Sequence, residues 1–325
     1  MKKSLIYLFS LLCMLTLATS CSDDEKGGTD DAWKEISKDY TSDKLSIGTV
    51  STSGTISVNA ASADKATIIL NNVVAGESSV SVDATLTKTD AGYAFEGEST
   101  ATTCNVKVSG TIENGKLTAA ISRTLTSALA GTLNLNYVPY MNDMQIAQAH
   151  ARFNTGDAQM DAMLNGMAAP VVGQLIAKEV ESVTVNLGEE GTFSFSFKKV
   201  GASEETVMPP AKLQEMIKSY LTWYEKENVL YLAVHKDALT ILSGLNILPE
   251  NIDLETILGL LTVEGDYYTL PLQVKEEDGL TTIYLNKDIL VKAWEVAKPL
   301  VGNIQDETIQ SILAMVDQVM AKAKE

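Results

Sequence analysis

The sequence predicts an α+β protein: an antiparallel, curved β-sheet first, then long amphipathic helices and a second α/β layer. Three observations predict it. From about Leu45 to Asn136 the chain is rich in Thr, Ser, Val and Gly and alternates polar with apolar, the period of half-buried strands. Further on, Met160, Leu164, Met167, Val171 and Leu175 recur at spacings of three or four, one face of a helix. Strand-like and helix-like stretches then alternate to the end of the chain.

The first element is a signal. Lys2 and Lys3 precede an apolar core from Leu5 to Leu17, and Ala18-Thr19-Ser20 lead into Cys21, the order of a secretory signal. The core is shorter than the ~20 apolar residues that span a bilayer. A cysteine at this place is the usual acceptor of a diacylglycerol thioether, so residues 1–20 read as a lipoprotein signal peptide and Cys21 as the lipidation site. The alternative is ordinary cleavage near Ser20 with Cys21 as a bystander. Several acyl chains anchor stably where one alone is marginal, at ~0.8 kcal/mol per buried methylene. Residues 21–39 then read as a lipid-anchored acidic linker, flexible up to about Asp31, with Trp33 to Tyr40 its first ordered piece.

Charge and cysteines narrow the class. The formal charge is −17, and removing residues 1–20, which carry Lys2 and Lys3 and no acids, takes it to −19. Such a body is repelled by nucleic acid and by anionic lipid surfaces. The hydrophobic fraction of 45% and charged fraction of 21% are those of a folded chain. With Cys13 in the signal and Cys21 lipidated, Cys104 stands alone, so stability comes from packing. At the edge of a strand, Cys104 reads as a buried filler.

Residues 40–140 read as the antiparallel β domain. Its sharpest element is a hairpin at Asn114-Gly115, a pair that supplies the two positive φ angles of a type I′ turn. Centred there, Ile112 opposes Leu117, Gly110 opposes Ala119 and Val108 opposes Ile121, with all six on one face. Asp90-Ala91-Gly92 makes a second turn, between Val80-to-Leu86 and Tyr93-to-Phe95.

Two resemblances follow from these residues. Cys21-Ser22-Asp23-Asp24-Glu25 resembles the lipoprotein export signal of Bacteroidetes, which implies display on the outer surface of the outer membrane; a plain solvated tether is the other reading. Ala66 to Glu77, Gly92 to Glu98, Val108 to Thr118 and Ala130-Gly131-Thr132-Leu133 together resemble Bacteroidetes outer-membrane lipoproteins with a calycin-like or lipocalin-like domain. The likeness covers roughly residues 40–137 and rests on strand and turn patterns. It implies fold, lineage and a binding or scaffold role, with no catalytic residues. The expected arrangement is a curved sheet wrapping a long helix, similar to lipid-transfer domains of the bactericidal/permeability-increasing type, and a calycin barrel beside a separate helical domain is the alternative.

Residues 141–325 read as an α/β domain or as the second half of one continuous domain. Asp143 to about Ala151 is expected to be helical, and a helix capped by Asp157 runs to about Val180 with a kink at Pro170. A hairpin follows, Val183, Val185 and Leu187 against Phe193, Phe195 and Phe197. Helix is expected from Pro209-Pro210 through Tyr220, from Lys236 to Ser243 and from Asp253 to Leu261, with strands at Val229–Val234, Tyr268–Val274 and Thr282–Leu285. Two last helices cover about Lys287–Val301 and Asp306–Lys322. The strand–Lys–Asp–helix junction at Tyr231–Leu239 echoes the one at Tyr284–Leu290.

Sequence motifs for chemistry are absent. The two histidines, His150 and His235, form no metal-ligand pattern, and no nucleophile elbow, cofactor glycine fingerprint or twelve-residue calcium loop occurs. Ser62-Ala63-Asp64-Lys65 fits SxxK only formally. No catalytic residue, metal or cofactor is therefore assigned. The one unusual constellation is methionine: Met141, Met144, Met160, Met163 and Met167 fall in one expected helical stretch. Thioether faces adapt to irregular apolar ligands, so Met160, Met163, Leu164, Met167 and Val171 are the candidate ligand-binding residues, against plain core packing. The expected role is a surface lipoprotein that binds without chemistry, its partners the membrane through its anchor and a hydrophobic small molecule or an envelope protein. An accessory structural lipoprotein is the alternative, and a glycan hydrolase with unlocated acids comes last.

Overall fold

A computed structural model describes residues 31–48, 50–134, 137–140, 144–147, 177–208, 217–239 and 258–301 except 278, with residue 255 and single positions within 158–166 and 310–321. Cys21, Met160, Met163, Leu164, Met167, Val171, Pro170 and His150 lie outside the described residues.

A six-strand meander dominates the first half: β3 (Thr55–Ser62), β4 (Lys65–Asn71), β5 (Ser79–Lys88), β6 (Gly92–Thr100), β7 (Cys104–Glu113) and β8 (Lys116–Leu125), each antiparallel to the next. The β7–β8 hairpin has the register its turn dictates: Ile112 faces Leu117, Gly110 faces Ala119, Val108 faces Ile121, and Asn114 and Gly115 have φ of 51° and 76°. Every second residue points inward, so Val80, Val82, Ala84 and Leu86 of β5 meet Cys104, Val106, Val108 and Ile112 of β7 in one buried cluster.

Closure comes from upstream. After a short helix α1 (Ala32–Glu35), strand β1 (Asp39–Tyr40) pairs antiparallel with β3, and β2 (Leu45–Ile47) pairs parallel with β8. A 3₁₀ turn at Ser42–Lys44 joins the two. Because the meander has an even number of strands, its edges run in opposite senses. One segment laid along both edges must therefore be antiparallel to one and parallel to the other. The eight strands thus form a nearly closed, barrel-like sheet in the order β1-β3-β4-β5-β6-β7-β8-β2. A nearly closed sheet of this kind fits a β-rich, calycin-like fold, and most of the helix expected from Asp157 to Val180 lies outside the described residues. Ile56, Val58, Ile68, Leu70, Val82, Val106 and Leu117 fill its interior at 1% exposure or less. Where Phe95 lies against Gly110, an added Cβ would stand 2.7 Å from the Phe95 ring and 2.1 Å from the Thr118 carbonyl oxygen.

Beyond the barrel, β9 (Gly131–Asn134) pairs with β12 (Val180–Leu187), β12 with β13 (Phe193–Lys199), and β13 with β14 (Thr206–Met208). The β12–β13 register sets Val183, Val185 and Leu187 against Phe197, Phe195 and Phe193, as the alternation predicts. A further antiparallel sheet runs β15 (Leu221–Lys226), β16 (Val229–His235), β18 (Tyr267–Glu277), β17 (Thr262–Glu264), with β19 (Leu280–Leu285) also on β18. The helix α2 (Lys287–Val301) follows, its start capped by Asn286 Oδ1, which accepts the Ile289 N–H at 2.9 Å. Described positions between 158 and 166, and between 310 and 321, are helical; Asp317 among them accepts bonds from Trp294 and Lys298 of α2.

Three expectations need correction. Residues 144–147 are not helical: β10 (Tyr137–Tyr140) and β11 (Met144–Ala147) pair antiparallel, because Tyr137, Val138 and Tyr140 favour strand pairing. Met144 therefore lies on a strand, and the five methionines do not share one helix. Tyr220 belongs to a turn, and the helical reading hid β15, whose Thr222-Trp223-Tyr224 run is strand-forming. β17 follows the stretch read as helix to Leu261, where Gly259 and Leu260 already turn.

Tyr40 is fully buried in the closing segment, and its hydroxyl donates to the Ile36 carbonyl at 3.0 Å. Burial pushes its phenol up to about 12. Tyr40→Ala is expected to cost about 3–5 kcal/mol and Tyr40→Phe about 1 kcal/mol in urea denaturation. A Tyr40→Ala loss below about 1 kcal/mol would mean that the closing segment is not part of the core.

Candidate functional site

The core does not stop at the barrel. Leu187, Trp223, Tyr224, Leu230 and Ala233 belong to the same buried cluster as the barrel residues, so β12 and the β15–β16 hairpin close one end of it. Three groups of hydrogen bonds order the junction and the loops beside it. The turn between β12 and β13 offers its carbonyls: Gly188 accepts the Trp223 indole N–H and Gly191 the Trp223 backbone N–H, both at 2.9 Å. Arg123 of β8 donates from Nη1 to the Ala75 carbonyl at 3.1 Å and from Nη2 to the Trp223 carbonyl at 3.3 Å. Burial holds its guanidinium below the ordinary arginine range. Glu77 Oε1 receives the Thr103 N–H at 2.6 Å and the Thr103 hydroxyl at 2.8 Å, which fixes the loop between β4 and β5.

That loop brings Gly76, at φ +86°, against the face of Tyr224; a Cβ there would lie 2.7 Å from Tyr224 Cδ2. The Tyr224 ring stacks in turn on Tyr231, with centroids 4.8 Å apart and planes 13° apart. The Tyr224 hydroxyl donates to Glu264 Oε2 at 2.5 Å. Burial and then this bond raise the Tyr224 pKa, so the phenol keeps its proton. Tyr231 is raised too, by burial and by the charges of Glu264 and Glu227. Around these rings Gly76, Lys226, Glu227, Val229 and Glu264 complete an open groove of about 310 Å³. A second groove, also about 310 Å³, is lined by Leu129, Glu225, Asn228, Val274 and Glu276, and there Glu225 accepts the Ser127 hydroxyl.

Between the grooves stands the β15–β16 turn. Glu227 and Asn228 have φ of 54° and 61°, the left-handed geometry of a type I′ turn, with no glycine to ease it. Asn tolerates that region; Glu is strained there. The missing Asn-Gly signature is why sequence reasoning missed this hairpin and the groove on it.

Of the remaining expectations, Cys104 is fully buried at the start of β7, and burial raises its thiol. Glu189 and Glu190 are exposed turn residues, and the Glu189 carbonyl accepts the Leu125 N–H at 2.7 Å. His235 ends β16 and is buried at 2% exposure. Among the described residues no three His, Cys, Asp or Glu side chains are placed to hold a metal ion. Among the described residues, exposed Phe195 and Val207 lie on opposite faces of one sheet, and exposed Val263 and Tyr284 on opposite faces of another. Compared with protein-family models, curated proteins and solved structures, the chain matches none.

Two substitutions probe the site. Gly76→Ala adds a strained φ to a clash with Tyr224, and is expected to lower stability by about 2 kcal/mol or more and to weaken the near-ultraviolet tyrosine signal. Glu227→Asn relieves left-handed strain and is expected to raise stability by about 0.5–1 kcal/mol in thermal or urea unfolding. An unchanged Gly76→Ala protein would remove the loop from the junction, and a destabilised Glu227→Asn protein would assign Glu227 a contact of its own.

Proposed function

We propose that this chain is a lipid-anchored protein of the outer membrane, displayed at the cell surface, whose folded body binds a partner without catalysis. The location is supported by the signal ahead of Cys21 and the acidic residues after it. The binding role is supported by one observation above the others: the barrel is solid with its own side chains, and the junction groove offers a stacked tyrosine pair beside carboxylates. A groove with these walls suits a hydrogen-bonding ligand better than a bare acyl chain. Tyrosine faces and the Glu227 and Glu264 carboxylates both attract cations, which favours amine-bearing groups on the partner. For an apolar ligand the candidates remain Met160, Met163, Leu164, Met167 and Val171, which lie outside the described residues. The accessory structural reading calls for a contiguous exposed apolar patch, and the exposed large apolar side chains among the described residues are dispersed.

Two measurements test the reading. Metabolic palmitate labelling is expected to mark the protein and to fail in Cys21→Ser, which should leave the membrane fraction; equal fractionation of the two proteins would overturn the anchor. Calorimetric titration with tetralysine is expected to show binding that weakens about tenfold in Tyr231→Ala/Glu264→Gln, from the loss of about 1.4 kcal/mol of cation–π and charge contacts. Equal affinity of the two proteins would place the binding elsewhere.

A further inference from the structure

The loop between β2 and β3 is tied to the β15–β19 sheet by a group of titratable side chains that the groove does not use. Asp237 Oδ2 accepts the Ser51 N–H at 2.9 Å, and Asp266 Oδ2 accepts the Ser53 N–H at 2.7 Å. Both serines are exposed, so these amides depend on the carboxylates for order. His235 sits behind them. Its Nδ1 accepts the Asp237 backbone N–H at 3.1 Å. With Nδ1 accepting, the ring proton belongs to Nε2, and the imidazole is neutral.

The surroundings leave no comfortable place for a proton on Nδ1. Tyr267 meets the ring edge-on at 5.1 Å, and Tyr220 lies 6.2 Å away. Lys236 adds positive charge and reaches Asp266 at 3.4 Å. Burial is the largest influence on His235 and lowers its pKa from 6.5, against the upward pull of Asp237 and Asp266. A protonated Nδ1 would point at the Asp237 N–H, donor against donor. The nearest anionic acceptor is Asp237 Oδ2 at 3.6 Å, the atom that holds Ser51.

The geometry points to an acid-operated latch: protonated His235 takes the Asp237 carboxylate away from the Ser51 amide and frees the loop that follows the barrel-closing segment. The sign follows from linkage. A histidine with a depressed folded pKa leaves stability intact above pH 6.5 and removes it as pH falls below that value. The Asp237 and Asp266 carboxylates are held below 3.8, Asp237 chiefly by the Ser51 bonds and Asp266 by its bonds to Ser53 and Lys236, which outweigh its burial. Their contribution is present above 3.8 and is lost at lower pH, so Ser51 is released before Ser53.

Amide exchange by NMR on the intact protein, corrected for the intrinsic pH dependence of exchange, tests the latch between pH 7.5 and 5. The Ser51 protection factor is expected to fall at least tenfold in step with the His235 ring titration, while Ser53 stays protected. In His235→Gln the Ser51 protection should become independent of pH over this range. Should that variant not fold, Asp237→Ala serves instead, with Ser51 poorly protected already at pH 7.5 and flat to pH 5. Ser51 protection that stays constant through the His235 titration, or that still falls in His235→Gln or Asp237→Ala, would overturn the latch.

Discussion

Six antiparallel strands leave two raw edges running in opposite senses, and one short segment, Asp39 to Ile47, satisfies both. An open edge is a row of unpaired donors and acceptors, and an open meander would expose inward-facing apolar residues to water. The 3₁₀ turn at Ser42–Lys44 lets the chain cross from β3 to β8, and the fully buried Tyr40 fixes the crossing from inside. With the sheet nearly closed, alternation alone produces a solid interior. The groove and the latch both lie outside that interior and use the barrel as a fixed wall.

The second constraint is the junction. A barrel of this kind needs its end covered, and here Leu187, Trp223 and Leu230 do so as part of the same core. Carbonyls facing the barrel end would otherwise be buried without donors, and the Trp223 indole and the Arg123 guanidinium supply them. Arg123 is costly to bury, yet its planar fork reaches two carbonyls on two elements at once. The price of that order is visible at Gly76 and at Glu227-Asn228, where the backbone takes left-handed angles beside the stacked tyrosines.

How much of this the sequence discloses depends on range. The β7–β8 and β12–β13 hairpins are legible because each register is fixed by a local turn and a period of two. Closure is not, since β1 and β2 are very short and their partners are chosen by strand parity, a property of the whole meander. The β15–β16 hairpin is hidden by a turn made from Glu-Asn, and β10–β11 by a Met-Gln-Ile-Ala stretch that suits helix or strand alike. Of the site, Cys104 as filler was readable, whereas Tyr224, Glu264 and Gly76 come together across long separations that no spacing reveals. His235 and Asp237 show the same limit: the echo between Tyr231–Leu239 and Tyr284–Leu290 suggests two equivalent junctions, but Asn286 caps its helix while Asp237 holds the Ser51 amide.

Barrel closure is tested most directly by hydrogen exchange with mass spectrometry on peptides covering Asp39–Ile47 at neutral pH. Closure predicts that these peptides exchange together with those of β3 and β8, within about tenfold, as one cooperative unit. Exchange of Asp39–Ile47 at unfolded-chain rates while β3 to β8 stay protected would contradict it.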